Sequence, residues 1–382
     1  MAKTDVTAYL KLMVEKDGSD LYFSAGAPVN LSIQGTTYPI GKHVLGGMEV
    51  RELVYSILND EQKAQFEREF ELNMALSFGE LGRFRINVFR QRGEVAMVAR
   101  YIKSNIPSIE SLGLPPILKD LIMEKMGLIL VVGATGSGKS TTLASMIDYR
   151  NAHTTGHILT IEDPIEFVHE HKKSVVDQRE VGLDTKSYGE ALKNALREAP
   201  HVIVVGEIRD HDTMQHAIHY AETGHVCLST LHANNANQTI ERIVNFFPES
   251  ARHGLLMDLS QHLRAIVSQR LVKGVDGRRV PAVEILLNSP FVSELIAEGR
   301  IGEIKDAMAQ SAPDGMQTFD QSLYKLYSEG RISAEAALQN ADSRNNLRLK
   351  MRLEHAPGTE GLPDLTLDDE FEAATMDLRR HH

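Results

Sequence analysis

The chain has 382 residues, 42% of them apolar and 24% charged, with a formal net charge of −11. That length exceeds what one hydrophobic core fills, so two domains are expected, and the balance excludes a largely disordered chain, a collagen or a disulfide miniprotein. The longest apolar run, Met126 to Ala134, falls far short of the roughly 20 residues that span a bilayer. The opening MAKTDVTAYLKLMVEK carries charges where a signal peptide needs an apolar stretch, and the single Cys227 can make neither an internal disulfide nor a multi-cysteine zinc site. A cytoplasmic protein is expected.

Asp5 stands where it can cap an amphipathic helix whose Val6, Leu10 and Met13 share one face. A second helical stretch is predicted over roughly Val50 to Phe70, with Leu53, Val54 and Ile57 at helical spacing. GRFRINVFRQRGEVAMVARYI (82–102) reads as a β-hairpin: Phe84, Ile86 and Val88 alternate with Arg83, Arg85 and Asn87, and QRGE supplies the turn. These elements make an α+β domain over 1–103, and the Pro-, Ser- and Gly-rich 104–116 a linker. Arg83, Arg85, Arg90, Arg92, Arg100 and Lys103 form a basic stripe against one local acid, Glu94.

Beyond residue 117 the pattern changes. Short apolar runs at Leu128–Val132, Ile158–Ile161, Val202–Val205 and Val226–Leu228 alternate with helical patterns at Lys139–Tyr149, Ser187–Ala199 and Asp212–Glu222, the signature of a parallel sheet buried on both faces. From Ser289 to about Gln339 the reading is mostly helical, with Leu295, Ile296, Leu323, Leu326 and Tyr327 as core candidates. This α/β domain runs over 117–345, and 346–382 is read as a disordered acidic tail. From His355 onward seven acids face two arginines, so much of the negative charge is local. The acidic body disfavours nonspecific nucleic-acid binding.

Residues 133–140 read GATGSGKS, directly after the run LILVV and before a helix. Gly133, Gly136 and Gly138 let the backbone curl so that the N–H groups from Ala134, Thr135 and Ser137 through Thr141 turn toward phosphate oxygens. Lys139 adds a charge at the β/γ-phosphates, Ser140 reaches Mg²⁺, and the helix brings its positive end to the same anion. ATP and Mg²⁺ are the expected cofactors.

In open α/β sheets ligands sit beyond the carboxyl ends of the strands. Here those ends carry Glu162, Asp163 and Glu166 after Ile161, Glu207 after Val205, and Ser229, Thr230 and His232 after Leu228. Glu162 and Glu207 are the candidates for orienting Mg²⁺ and activating water, with the assignment between them open and Glu207 the metal candidate beside Ser140.

GATGSGKS, TIEDPIEF, VIVVGEIRD and TGHVCLSTLHANNA resemble, in order and spacing, the Walker A, Asp box, Walker B and His box of the secretion ATPases. GSDLYFSAG, GRFRINVF, QRLV and GMQTFDQSLYKLY extend the resemblance over about residues 3–350 to the type IV pilus retraction ATPases, the PilT/PilU group. It implies a PAS-like N-terminal domain on a RecA-like P-loop core, assembled as a hexameric ring at the cytoplasmic base of the pilus machine. There the ring would meet an inner-membrane platform protein and a companion pilus ATPase, touching the membrane only through partners. It also assigns catalytic roles to Glu162, Glu207 and the γ-phosphate sensor His232, places His225 beside the nucleotide, and sends Arg83, Arg85 and Arg90 toward a neighbouring subunit's nucleotide.

Three departures point to the PilU type: Ala199-Pro200-His201 stands where the group usually shows DPD, 291–298 read FVSELIAE instead of AIRNLIRE and lack both arginines, and the acidic tail is longer than in the usual retraction motor. Two functional classes follow, a motor that hydrolyses ATP to drive retraction and an accessory nucleotide-binding ring that docks on a companion motor. A nucleic-acid translocase is the weaker third. The basic stripe is correspondingly read as contacts to a neighbour's phosphates, as a solvated sheet face, or as a nucleic-acid surface. His211, His216 and His219 on one helix are read as a solvated face, and Cys227 as core.

Overall fold

A computed structural model describes residues 5–311 and 315–353 of the chain. The N-terminal domain is a six-stranded antiparallel sheet of β1 (Asp20–Phe23), β2 (Asn30–Ile33), β3 (Thr36–Pro39), β4 (Glu71–Ser77), β5 (Arg83–Gln91) and β6 (Glu94–Ile102), ordered β3-β2-β1-β6-β5-β4. Its first helix, Val6–Glu15, starts where Asp5 accepts a bond from the Thr7 amide, and it buries Val6, Leu10 and Met13 completely. Phe84, Ile86 and Val88 are fully buried in the same core, each contributing about 1.5–3 kcal/mol of apolar burial. The hairpin turn falls at Arg92 (φ 53°) and Gly93 (φ 82°), the left-handed pair that matches strand twist.

The helical stretch expected over Val50–Phe70 is two helices, Gly47–Ser56 and Asp60–Glu69. Asn59 breaks it: its side chain accepts from the Gln62 amide while Gln62 reaches back to the Asn59 amide, a reciprocal cap that outcompetes continuation.

The second sheet has seven strands: β7 (Gly127–Val132), β8 (Gly156–Glu162), β9 (Ser174–Glu180), β10 (Val202–Val205), β11 (Val226–Leu231), β12 (Leu263–Lys273) and β13 (Arg279–Leu287). Their order is β13-β12-β7-β11-β10-β8-β9, all parallel except the edge strand β13. Along β7, Leu128, Leu130 and Val132 enter one core and Ile129 and Val131 the other, so the strand is buried on both faces. Helices Tyr188–Ala195, His211–Glu222 and Ala236–Asn245 cover the first face, and Lys139–His153 the second.

Two boundaries move. The stretch 104–116 is no free spacer: Ile109 and Leu114 are buried in the core, and the Ser145 hydroxyl donates to the Pro107 carbonyl at 2.7 Å. Part of the expected acidic tail is ordered, because helix Arg344–Leu353 buries Leu347 and Met351 against Leu323, Leu338 and the β12–β13 hairpin. The rest of that tail, 354–382, lies outside the described residues. Met351→Ala should lower the unfolding free energy by about 2–5 kcal/mol in urea titration, while exposed Arg352→Ala should stay within about 0.5 kcal/mol. Equal effects would mean that the helix does not pack.

Candidate active site

Strand register sets the site. Val132 of β7 pairs with Leu231 of β11, so the next residues, Gly133 and His232, leave the sheet side by side. Ile161 of β8 pairs with Val205 of β10, which puts Glu162 beside Gly206 and its successor Glu207.

The loop 133–138 closes tightly over β12. A Cβ on Gly133 (φ 155°) would stand 2.5 Å from the Gln269 carbonyl, and one on Gly138 (φ 88°) 2.7 Å from the Gln269 amide nitrogen, so both need glycine. Gly136 faces open space, and its need is the positive φ of 76° alone. The Gln269 side chain accepts from Thr142 Oγ1 at 2.6 Å, pinning the loop's helix to β12. Helix Lys139–His153 starts from Gly138 with no side-chain cap and no acid in its first turn. Its first amides are therefore open to an anion.

Lys139 is 9% exposed and donates to the Gly133 and Ala134 carbonyls at 3.0 Å. Burial lowers its proton affinity, and the carboxylates of Glu207 and Glu166 oppose that. Its ammonium also donates to His232 Nδ1 at 3.5 Å. An ammonium can only donate, so Nδ1 accepts and the ring proton sits on Nε2. Nε2 then donates to Glu207 Oε1 at 3.1 Å, and the other Glu207 oxygen accepts from Arg209 Nε at 2.8 Å. Arg209 continues to Asp163 at 3.5 Å.

Glu162 faces the same cleft. Burial raises its pKa, opposed by donors from Thr160 Oγ1 at 2.7 Å and Gln178 Nε2 at 3.1 Å. The cleft, about 550 Å³, is lined by Thr135, Gly136, Gly138 through Thr141, Glu162, Asp163, Glu166, Glu207 and His232. Ser137 Oγ, buried without a partner, lines a smaller cavity on the β12 side of the loop with Gln269 and Arg270. The loop, helix end and ammonium fit a nucleotide's phosphates.

Not every expected residue joins. His225 precedes β11 at its amino end, across the sheet from the cleft, where it bonds Thr223 and the Tyr220 carbonyl. Arg90 is held inside its own domain by Glu67, the Gly93 carbonyl and the rings of Phe66 and Phe70. Arg83 and Arg85 face Glu180 at the end of β9, where their charges counter a carboxyl raised by burial. The basic stripe is less bare than its local sequence shows: Arg100 pairs with Asp20 at 2.6 Å and Lys103 with Asp17 at 3.4 Å. Sequence reasoning missed Thr160, Gln178 and Gln269, because single polar residues on strands carry no spacing signal, and Tyr188, which opens a helix and lines the cleft. Cys227 is buried core, and among the described residues no group of three or more His, Cys, Asp or Glu could hold a metal ion.

An open helix end that follows a parallel strand and closes on a buried lysine is how P-loop proteins hold nucleotide phosphates, and this chain is of that class. Residues 64–314 match the family described as Type II/IV secretion system protein. The type IV pilus ATPase PilU of Pseudomonas aeruginosa is 52% identical over 94% of both chains. The type IV pilus retractation ATPase PilT of the same organism is 42% identical over 90% of this chain and 99% of the relative. The solved structure of the pilus retraction motor PilT with bound ADP superposes at a TM-score of 0.84 and 42% identity, covering 91% of this chain and 99% of that one. The Legionella pneumophila ATPase DotB follows at 0.72 and 28%, covering 88% and 96%. The chain therefore belongs to the type II/IV secretion system proteins, and within them to the PilT and PilU group of type IV pilus ATPases.

Lys139→Ala should remove the charge that faces the phosphates and weaken binding of a fluorescent ATP analogue by at least about tenfold, since one pair to an ionised group is worth roughly 1.5–3 kcal/mol. Unchanged affinity would exclude the loop as the phosphate site.

Proposed function

We propose that this chain hydrolyses ATP as a subunit of a hexameric ring that drives or assists type IV pilus retraction, and so twitching motility. The observation that carries this reading is the run Lys139, His232, Glu207, Arg209 along the carboxyl edge of the sheet, beside the buried Glu162. Phosphates would lie on the amides of 134–141 with Lys139 beside them, and Ser140 and Glu207 would hold Mg²⁺, which supplies charge neutralisation at the phosphates.

Burial raises the proton affinity of Glu162, which suits the group that takes a proton from the attacking water. Glu207 pairs with the Arg209 guanidinium through one oxygen and with the other accepts from the His232 imidazole, whose Nε2–H can turn to the terminal phosphate. Asp163 and Arg209 close the polar edge. Arg83 and Arg85, which line no part of their own chain's nucleotide cleft, are offered as charges for a neighbouring subunit's phosphates. Arg90 and His225 are already bonded elsewhere, and neither is proposed as a nucleotide contact. No described helix is long and apolar enough to cross a membrane, and the proposed location is the cytoplasmic face of the inner membrane, reached through a pilus platform protein.

The accessory reading rests on a different observation. Helix Pro290–Ala297 carries Ser293 and Ala297 at the two positions where the retraction motors typically carry arginines, with Phe291 at its start 52% exposed.

Steady-state phosphate release from the purified chain, alone and with a companion retraction ATPase, separates the two. A motor turns over alone, and an accessory ring only binds. Glu162→Gln and Glu207→Gln should each lower turnover by about 10²–10⁴-fold with nucleotide affinity largely kept. A variant as fast as the parent removes that residue from catalysis. Mixing Arg83→Ala/Arg85→Ala chains with Lys139→Ala chains should restore some turnover, because mixed boundaries pair an intact loop with intact arginines. A mixture that stays inactive removes the arginines alone.

A further inference from the structure

Glu284 on β13 lies outside the nucleotide cleft, and only 2% of it is exposed. It pairs across the hairpin with Ser268, and Ser268 pairs in turn with Val132, the last residue before the phosphate loop. One carboxylate oxygen accepts two bonds, from the Ser268 hydroxyl at 3.0 Å and from the Ala236 amide at 2.8 Å. Ala236 opens helix Ala236–Asn245, four residues after His232, and its amide is one that the helix cannot bond itself. Asn235 caps the same end by accepting from the Gln238 amide at 2.9 Å, and Arg270 donates to the Asn234 carbonyl at 3.4 Å. The short segment between His232 and the helix is thus tied down by groups from the β12–β13 hairpin.

We propose that Glu284 is a positioning residue for hydrolysis: its carboxylate fixes the first amide of this helix and so holds His232 against Glu207 and Lys139. The inference rests on the catalytic reading of His232 given above. A buried charge is an expensive way to hold one amide, since serine or asparagine caps do it neutrally. Here the charge also meets the positive end of a helix, which strengthens the bond where an uncharged acceptor would hold it less firmly.

The groups that act on Glu284 are Asp342, which raises its pKa, and Arg270, which lowers it, with Lys305 and Arg270 both paired to Asp342. Burial is the largest influence and pushes the carboxyl up to about 7, against the two hydrogen bonds that lower it. The clamp is therefore charged above about pH 7 and weakens as pH falls through that value. Stability runs the other way. A carboxyl whose folded pKa exceeds its unfolded value of 4.5 costs nothing below that value, and destabilises increasingly as pH rises to about 7.

Glu284→Gln and Ser268→Ala in the full chain test this, with hydrogen–deuterium exchange of the segment 232–240, steady-state kinetics and melting temperature read at pH 6 and pH 8. Glu284→Gln should exchange faster in that segment, melt no lower than the parent at pH 8, and lose roughly tenfold in kcat with KM for ATP unchanged. Its kcat should also lack the parent's rise between pH 6 and pH 8. Ser268→Ala, which leaves the charge in place, should shift the same readings less. Exchange equal to the parent's overturns the clamp even if the parent turns over no ATP, a result that would count separately against the proposed activity. Faster exchange with unchanged kcat overturns the positioning role. A lower melting temperature at pH 8 with raised KM would reduce Glu284 to a structural residue.

Discussion

The in-register pairing of the parallel strands is the constraint from which the site follows. Because Val132 lies level with Leu231, and Ile161 with Val205, each strand gives up its chain to the loop above at nearly the same height. The phosphate loop, His232, Glu162 and Glu207 then emerge along one edge without any of these loops having to be long. A shift of one residue in any pair would turn the apolar side chains of that strand to the opposite face. Burial on both faces makes such a slip costly, so the hydrophobic core holds the polar geometry.

Charge is concentrated at that edge, and each charge is placed to be tolerated. Lys139 lies under its own loop with two carbonyls for partners, and Glu207 divides its oxygens between an arginine and an imidazole. Burying an ion without such partners costs several kcal/mol, which the observed pairs offset only in part. The surplus shows in the lowered proton affinity of Lys139 and the raised one of Glu162. Both groups are thus poised to interact more strongly with what enters the cleft than with what surrounds them.

The front of the site was legible in the sequence and its back was not. GATGSGKS and the strand-end residues Glu162, Glu207 and His232 stand where continuous apolar runs stop, and the structure brings all of them together. Strands β9 and β12 did not announce themselves. SVVDQRE mixes buried and exposed positions at a sheet edge, and β12 interrupts its apolar residues with Gln269 and Arg270. Both are the strands that brace the site, through Gln178 on Glu162 and Gln269 on the phosphate loop. The Asn59–Gln62 cap was present as a sequence pattern and was hidden by a longer helical periodicity. His225 was placed by resemblance alone, and strand direction sets it at the far edge.

Bracing from behind also ties the site to the rest of the molecule. Arg270 reaches the Asn234 carbonyl near His232, stacks over Phe319 at 3.8 Å, pairs with Asp342 and donates to the Asn340 carbonyl. One guanidinium thus joins the His232 segment to three points in the C-terminal helical segment. Its planar, fixed donors hold these partners at set angles, which a lysine's single ammonium would not. Movement of the His232 segment toward a phosphate must stretch these bonds or carry the C-terminal helices along. Asp342 also pairs with Lys305 of helix Ile304–Gln310, whose Met308 shares a core with Ile296 of the helix that carries Phe291. The sheet edge and the outer face of the domain are therefore joined by a continuous chain of contacts that runs through Arg270, Asp342 and Lys305.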